Sequence, residues 1–195
     1  MSYKNLAFFV FIMLIVAMVA CDQNRPVVPE SVSNKKEETS QGFPADSFAY
    51  YEGILAKDSL NTELRLAIAT NYYSQNQFGK AIDHLLKVIE QSPKNTEALI
   101  TLGNIYYDAA ENEKAIIYYE KDLQLDPKNV NVRCDLATCY LNLKQAEKSL
   151  SLLKKNLEID PKHAQSHHNL SVVYKEMGKT KEAEEEMKVF NTLEK

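Results

Sequence analysis

Tryptophan is absent, and 195 residues hold only 3 cysteines, 5 glycines and 6 prolines. So few cysteines exclude a disulfide-stapled scaffold. So little glycine and proline excludes a collagen-like or wholly disordered chain. Charge of one sign is lacking too: 27 acidic residues stand against 23 basic ones, a net charge of −4 with no basic block. That balance argues against nucleic acid, or an anionic membrane surface, as the main partner. No glycine-rich phosphate loop, paired-carboxylate motif or nucleophile elbow occurs, so the expectation is no enzyme, no cofactor and no small-molecule substrate.

What is present begins with Lys4 and an unbroken apolar run over Leu6–Ala20. Its 15 residues reach only ~23 Å as a helix, short of a bilayer core, so residues 1–20 read as an export signal, with an uncleaved anchor as the alternative. Met18-Val19-Ala20-Cys21 resembles the lipobox of bacterial lipoproteins. The resemblance implies lipidation of Cys21 and a chain held at the bacterial cell envelope by lipid, on the periplasmic or other extracytoplasmic face. Residues 21–45 then form a linker: Pro26, Pro29, Pro44 and the run Lys35-Lys36-Glu37-Glu38 leave little apolar surface to bury.

Pro93, Pro127 and Pro161 recur every 34 residues, and Tyr72, Tyr106, Tyr140 and Tyr174 keep the same interval. Two residue types sharing one period mark internal repeats. In the second copy Leu99, Leu102, Gly103 and Tyr106 draw one helical stripe, and Ala115, Tyr119 and Leu123 a second. Small residues share one place (Ala69, Gly103, Ala137, Ser171) and another (Ala81, Ala115, Ser149, Ala183), so paired helices can approach closely. Asn61, Asn95 and Asn129 stand where they can cap first helices, and the prolines end second ones.

The spacing resembles the tetratricopeptide repeat (TPR), and the second copy follows that pattern except at Asp122, where a small apolar residue is preferred. The resemblance implies an all-α, right-handed solenoid over 46–195, with a capping helix at 46–57 and repeats at 62–95, 96–129, 130–163 and 164–195. Glu182–Glu186 is expected to face solvent, making the last helix its own cap.

His163 and His167 lie four apart with His168 adjacent, but a packing role outweighs a metal pair. Cys134 and Cys139 sit beyond disulfide reach on one helix; Cys139 reads as a small core residue, Cys134 as facing inward. The family's groove places fall here on Glu63, Leu66, Thr70, Tyr73 and Ser74, then Glu97, Ile100, Asn104, Tyr107 and Asp108. The third repeat adds Asn131, Cys134, Thr138, Leu141 and Asn142, and the fourth Gln165, His168, Val172, Lys175 and Glu176. Where relatives that clamp a carboxylate carry Lys, Arg and Asn, this chain has Leu66, Thr101, Asn104, Asn131 and Asp135, which disfavours that ligand. The mixture suits an apolar or amphipathic protein segment bearing some positive charge. The alternative is a homodimer built on the last helix through Val189 and Leu193.

Overall fold

The computed structural model describes residues 48–194. The signal, lipidation and linker assignments at 1–45 lie outside the described residues. Nine α-helices follow one another without a strand among the described residues. They are α1 (Phe48–Lys57), α2 (Thr62–Ser74), α3 (Phe78–Gln91), α4 (Thr96–Asp108), α5 (Asn112–Leu125), α6 (Val130–Asn142), α7 (Ala146–Ile159), α8 (Ala164–Glu176) and α9 (Thr180–Leu193). After α1 they pair as first and second helices of four hairpins, each packed against the next.

Local chemistry sets the ends. The side-chain oxygens of Asn61, Asn95 and Asn129 accept from the backbone N–H groups of Leu64, Ala98 and Val132 at 2.9, 2.9 and 3.2 Å. These caps fix where α2, α4 and α6 start. Helices α3, α5 and α7 stop at Gln91, Leu125 and Ile159, because the residue before each proline is pushed out of helical backbone. Within each hairpin the chain turns on one left-handed residue: Asn76, Ala110, Lys144 and Gly178, at φ between 57° and 74°. Only the last is a glycine, so the first three turns carry a small steric cost.

The repeated tyrosines occupy equivalent places. Lys80, Lys114 and Lys148, themselves 34 apart, lie over Tyr72, Tyr106 and Tyr140 at 5.0, 5.2 and 4.9 Å from the ring centres. Tyr140 on α6 donates to Glu120 of α5, and Tyr72 on α2 donates to Glu52 of α1, across the same separation of 20 residues. Thus α1 stands to the first hairpin as α5 stands to the third. Leu55 supplies its buried anchor.

Three features depart from the sequence reading or go beyond it. Arg65, Arg133 and His167, at one shared repeat position, each bond the carbonyl oxygen six residues back (Ser59, Pro127, Pro161), tying the inter-repeat turn to the following helix. Glu186 does not face solvent with its neighbours: it is half-buried and lies 2.6 Å from Nδ1 of the buried His167 ring, which it meets across the last hairpin. Finally, Asp122 is 0% exposed; its Oδ1 has no partner among the described residues, and its Oδ2 lies 3.4 Å from Asn129 Nδ2. Burial, then the nearby Asp126, pushes this carboxyl above its ordinary range.

Asp122→Ala is therefore expected to stabilise the fold at neutral pH by about 1–2 kcal/mol, the cost of a buried unsatisfied polar group. The folded state holds this proton more tightly than the unfolded one, so the penalty is full above the raised value and fades as pH falls toward 3.8, the ordinary Asp value. Urea melts at pH 7 and pH 4 check this. An equal or larger gain at the lower pH would contradict it.

Candidate functional site

The first helices α2, α4, α6 and α8 present the predicted groove residues, and the structure brings several into contact across repeats. Tyr73 on α2 donates to Asp108 Oδ2 on α4 at 2.6 Å. Burial, then this carboxylate, pushes the Tyr73 phenol up, so it remains a protonated donor. Asn169 on α8 donates to Thr138 Oγ1 on α6 at 3.3 Å, and His163 Nε2 meets Asn131 Oδ1 at 2.9 Å. Tyr119, the largest fully buried side chain, reaches from α5 to Asn104 Oδ1 on α4 at 2.7 Å.

Exposure sorts the rest. Glu63, Thr70, Ser74, Glu97, Asp108, Asn131, Asn142, Gln165, Val172, Lys175 and Glu176 are exposed, while Leu66, Tyr73, Ile100, Thr138, Leu141 and His168 are half-buried between neighbouring helices. Asn142 turns to Asn112 of α5 at 3.0 Å, and Glu176 takes Lys144 at 2.8 Å, so both are engaged inside the chain. The His168 ring packs against Phe190 of α9 with centroids 5.1 Å apart. Lys175 lines a shallow cleft with Glu184, Met187 and Lys188 on α9. Tyr107 is the open aromatic: it is 37% exposed, and its hydroxyl makes no hydrogen bond among the described residues.

Cys134 is a correction. The sequence places it on the inner face, but it is 2% exposed, with Sγ 3.3 Å from Ser166 Oγ and 3.4 Å from Asn156 Nδ2. The fourth hairpin covers it, and burial pushes its thiol up, so it presents no nucleophile. Cys139 is fully buried, its thiol pushed up to about 12 by the same desolvation. His167 has each ring nitrogen committed, Nδ1 to Glu186 and Nε2 to the Pro161 carbonyl, so its role is structural.

Asp135 matters more than its place in the clamp comparison suggests. Its side chain is exposed, yet the helices around it partly desolvate its carboxyl and push it up to about 6. It makes no hydrogen bond or ion pair among the described residues. The sequence signal was a carboxylate in mid-helix, one step from an inward-facing position, with no basic residue three or four places away to meet it.

Residues 99–195 match the family model for the fourth ARM domain of tetratricopeptide repeat protein 21, and residues 70–109 match that of the TPR repeat. No curated protein matches the sequence. Among solved structures, that of MamA is 21% identical with a TM-score of 0.71, over 76% of this chain and 86% of that one. YrrB, described as a TPR protein with an unusual peptide-binding site, is 20% identical with a TM-score of 0.67, over 76% of each chain. The recurring prolines and tyrosines, the stacked hairpins and these likenesses converge: the chain is a tetratricopeptide-repeat protein, an all-α solenoid.

Proposed function

We propose that this chain is a non-enzymatic scaffold that holds a segment of a partner protein, an extended peptide or a helix, in the groove lined by α2, α4, α6 and α8. The observation that carries this reading is Tyr107, an aromatic side chain left open in mid-groove with an unspent hydroxyl while its counterpart Tyr73 is satisfied internally. Tyrosines of this kind anchor interfaces, combining apolar area with a directed hydrogen bond. The likeness to a peptide-binding TPR protein supports the reading as analogy of fold.

The sequence before α1 adds place to the proposal. The lipobox-like Met18–Cys21 segment supports a lipid-tethered adaptor of the bacterial cell envelope that acts in assembly or secretion there. Mass spectrometry of the native N-terminus tests this part: an acylated Cys21 as first residue is expected, and an unmodified Met1 would remove the tether.

For the groove, a photo-crosslinking residue at position 107 of the full chain is compared with one at the outward-facing Ile117. A partner adduct is expected from 107 alone, and Tyr107→Ala is expected to weaken capture of that partner by roughly 30-fold, the effect of losing an interface hot spot. Equal adducts from both positions would end the proposal. A second reading, self-association through α9, draws on Val189, which is 40% exposed. Light scattering decides it, since a mass that stays monomeric as concentration rises removes this alternative.

A further inference from the structure

Two carboxamides of the groove have their oxygens spent and their NH2 groups unspent. Asn104 on α4 accepts the Tyr119 hydroxyl on Oδ1 at 2.7 Å. Burial pushes the Tyr119 phenol up, so it stays protonated and donates. The Asn104 Nδ2 is thereby turned away from the core. It makes no hydrogen bond among the described residues, yet it is not sealed from water.

Asn131 on α6 reaches the same state by a longer route, which starts at Arg133. A guanidinium carries donors alone. It donates to Asn156 Oδ1, so Asn156 Nδ2 donates in turn, to the Val130 carbonyl and to Ser166 Oγ. Ser166 is left to give its own hydrogen to His163 Nδ1 at 2.8 Å, which puts the ring proton on Nε2. Nε2 then donates to Asn131 Oδ1 at 2.9 Å. A buried cation thus sets the direction of each bond out to the surface, where the exposed Asn131 keeps an NH2 with no partner among the described residues.

The contacts also place these two amides. Tyr119 packs with Val132 and Leu136 of α6, so Asn104 stands over the seam between α4 and α6. His163 leads into α8, so Asn131 stands over the next seam, between α6 and α8. On α8 itself the amides are spent within the chain: Gln165 Nε2 donates to Asn169 Oδ1 at 2.7 Å, and Asn169 Nδ2 to Thr138.

A partner carboxylate is a poor match for these donors. Exposed Glu97, Asp108 and Asp135 share α4 and α6 with them, and the exposed lysine of the groove helices, Lys175, lies on α8. A neutral carbonyl oxygen meets no such repulsion. A bound helix offers few, because its carbonyls are bonded internally except in the last turn. An extended segment offers one at each residue, alternating between its two edges.

We infer that the groove holds its partner as an extended segment, with the Asn104 and Asn131 amides donating to two of its main-chain carbonyls and an apolar or aromatic side chain against Tyr107. This rests on the groove reading above and decides between its two occupants. Main-chain contacts hold a segment whatever its sequence, so the choice of partner falls to the side chain that Tyr107 meets.

The test uses the full chain in neutral detergent and fluorescent nonapeptide pools of Leu, Tyr and Ser in three forms: linear, stapled as a helix, and linear with alternate main-chain amides replaced by esters, whose carbonyls accept weakly. Anisotropy is expected to show the linear pool binding at least 10-fold more tightly than the stapled one. Asn131→Ala should weaken the linear pool by about 3- to 10-fold, the worth of one hydrogen bond, and the ester pool by less. Asn104→Asp, which keeps an oxygen for Tyr119 and loses the NH2, should do the same with the circular dichroism spectrum unchanged. Should that variant fail to fold, Asn131→Ala at its exposed position decides alone. A linear pool indifferent to the asparagine variants, while Tyr107→Ala still weakens it, would overturn the amide contacts and leave the groove standing. Tighter binding of the stapled pool would overturn them likewise, and binding of no pool would remove groove and amide contacts together.

Discussion

Asn156→Ala is expected to lower the unfolding free energy by about 3–4 kcal/mol, because removing one partner of a buried charge leaves the other uncompensated. Asn156 is fully buried at the junction of the third and fourth hairpins. Its Oδ1 accepts from Arg133 at 2.9 Å, and its Nδ2 donates to the Val130 carbonyl at 2.7 Å and to Ser166 Oγ at 3.0 Å. Truncation takes one partner from each; Ser166 keeps His163 and Cys134, but Arg133 is left with the Pro127 carbonyl alone and its guanidinium is buried. The loss is not additive with removal of the charge. Arg133→Met combined with Asn156→Leu should recover most of it, since an apolar pair of similar volume needs no hydrogen bonds. Urea denaturation of the two variants gives the free energies, and hydrogen exchange should place the weakened protection in α6 to α9. A single-variant loss below about 1 kcal/mol would show that water reaches the site and satisfies it.

Gly103→Ala is expected to cost about 1–2 kcal/mol, although alanine favours a helix over glycine by about 1 kcal/mol, because overpacking a fixed core side chain outweighs that gain. A β-carbon at 103 would come within 2.6 Å of Tyr119 Cδ1. The ring is 1% exposed and tied to Asn104, so it has no room to swing away. The other hairpins show the same packing solved at a different size. Where the first and third have Ala69 and Ala137, the second helix carries Leu85 and Leu153 in place of Tyr119. Combining Gly103→Ala with Tyr119→Leu imports that solution, and the double variant should lose at least 1 kcal/mol less than the sum of the single losses. Strict additivity would mean that the two residues do not share one space.

Much of the fold was legible because the repeat imposes a few local requirements at fixed spacing. Asparagine caps, prolines after second helices and small residues at close approaches each act through short-range backbone or steric rules, and all three can be read one position at a time. The inter-repeat tie made by Arg65, Arg133 and His167 was not read, although the three share a register. Its partners are backbone carbonyls, which carry no sequence signal. Cys134 failed for a related reason. The family's groove positions mark direction from the helix axis, and whether an inward side chain meets water or the next hairpin depends on the neighbour's bulk. Here Ser166 and Asn156 close over it. Asp135 lay outside those positions altogether, and its character comes from desolvation by surrounding helices rather than from any residue beside it in sequence.

The half-repeat at the front of the array has a mechanical consequence. Tension arriving along the chain at Phe48 meets α1 first, a helix of 10 residues gripped chiefly by Leu55 and by the contacts of Glu52 with Tyr72 and His84. Peeling it from helix to extended strand lengthens the chain by roughly 20 Å before any hairpin is disturbed. In a stacked array, where each unit leans only on its neighbours, such an end piece yields like a fuse and spares the hairpins behind it from a pull on the preceding chain.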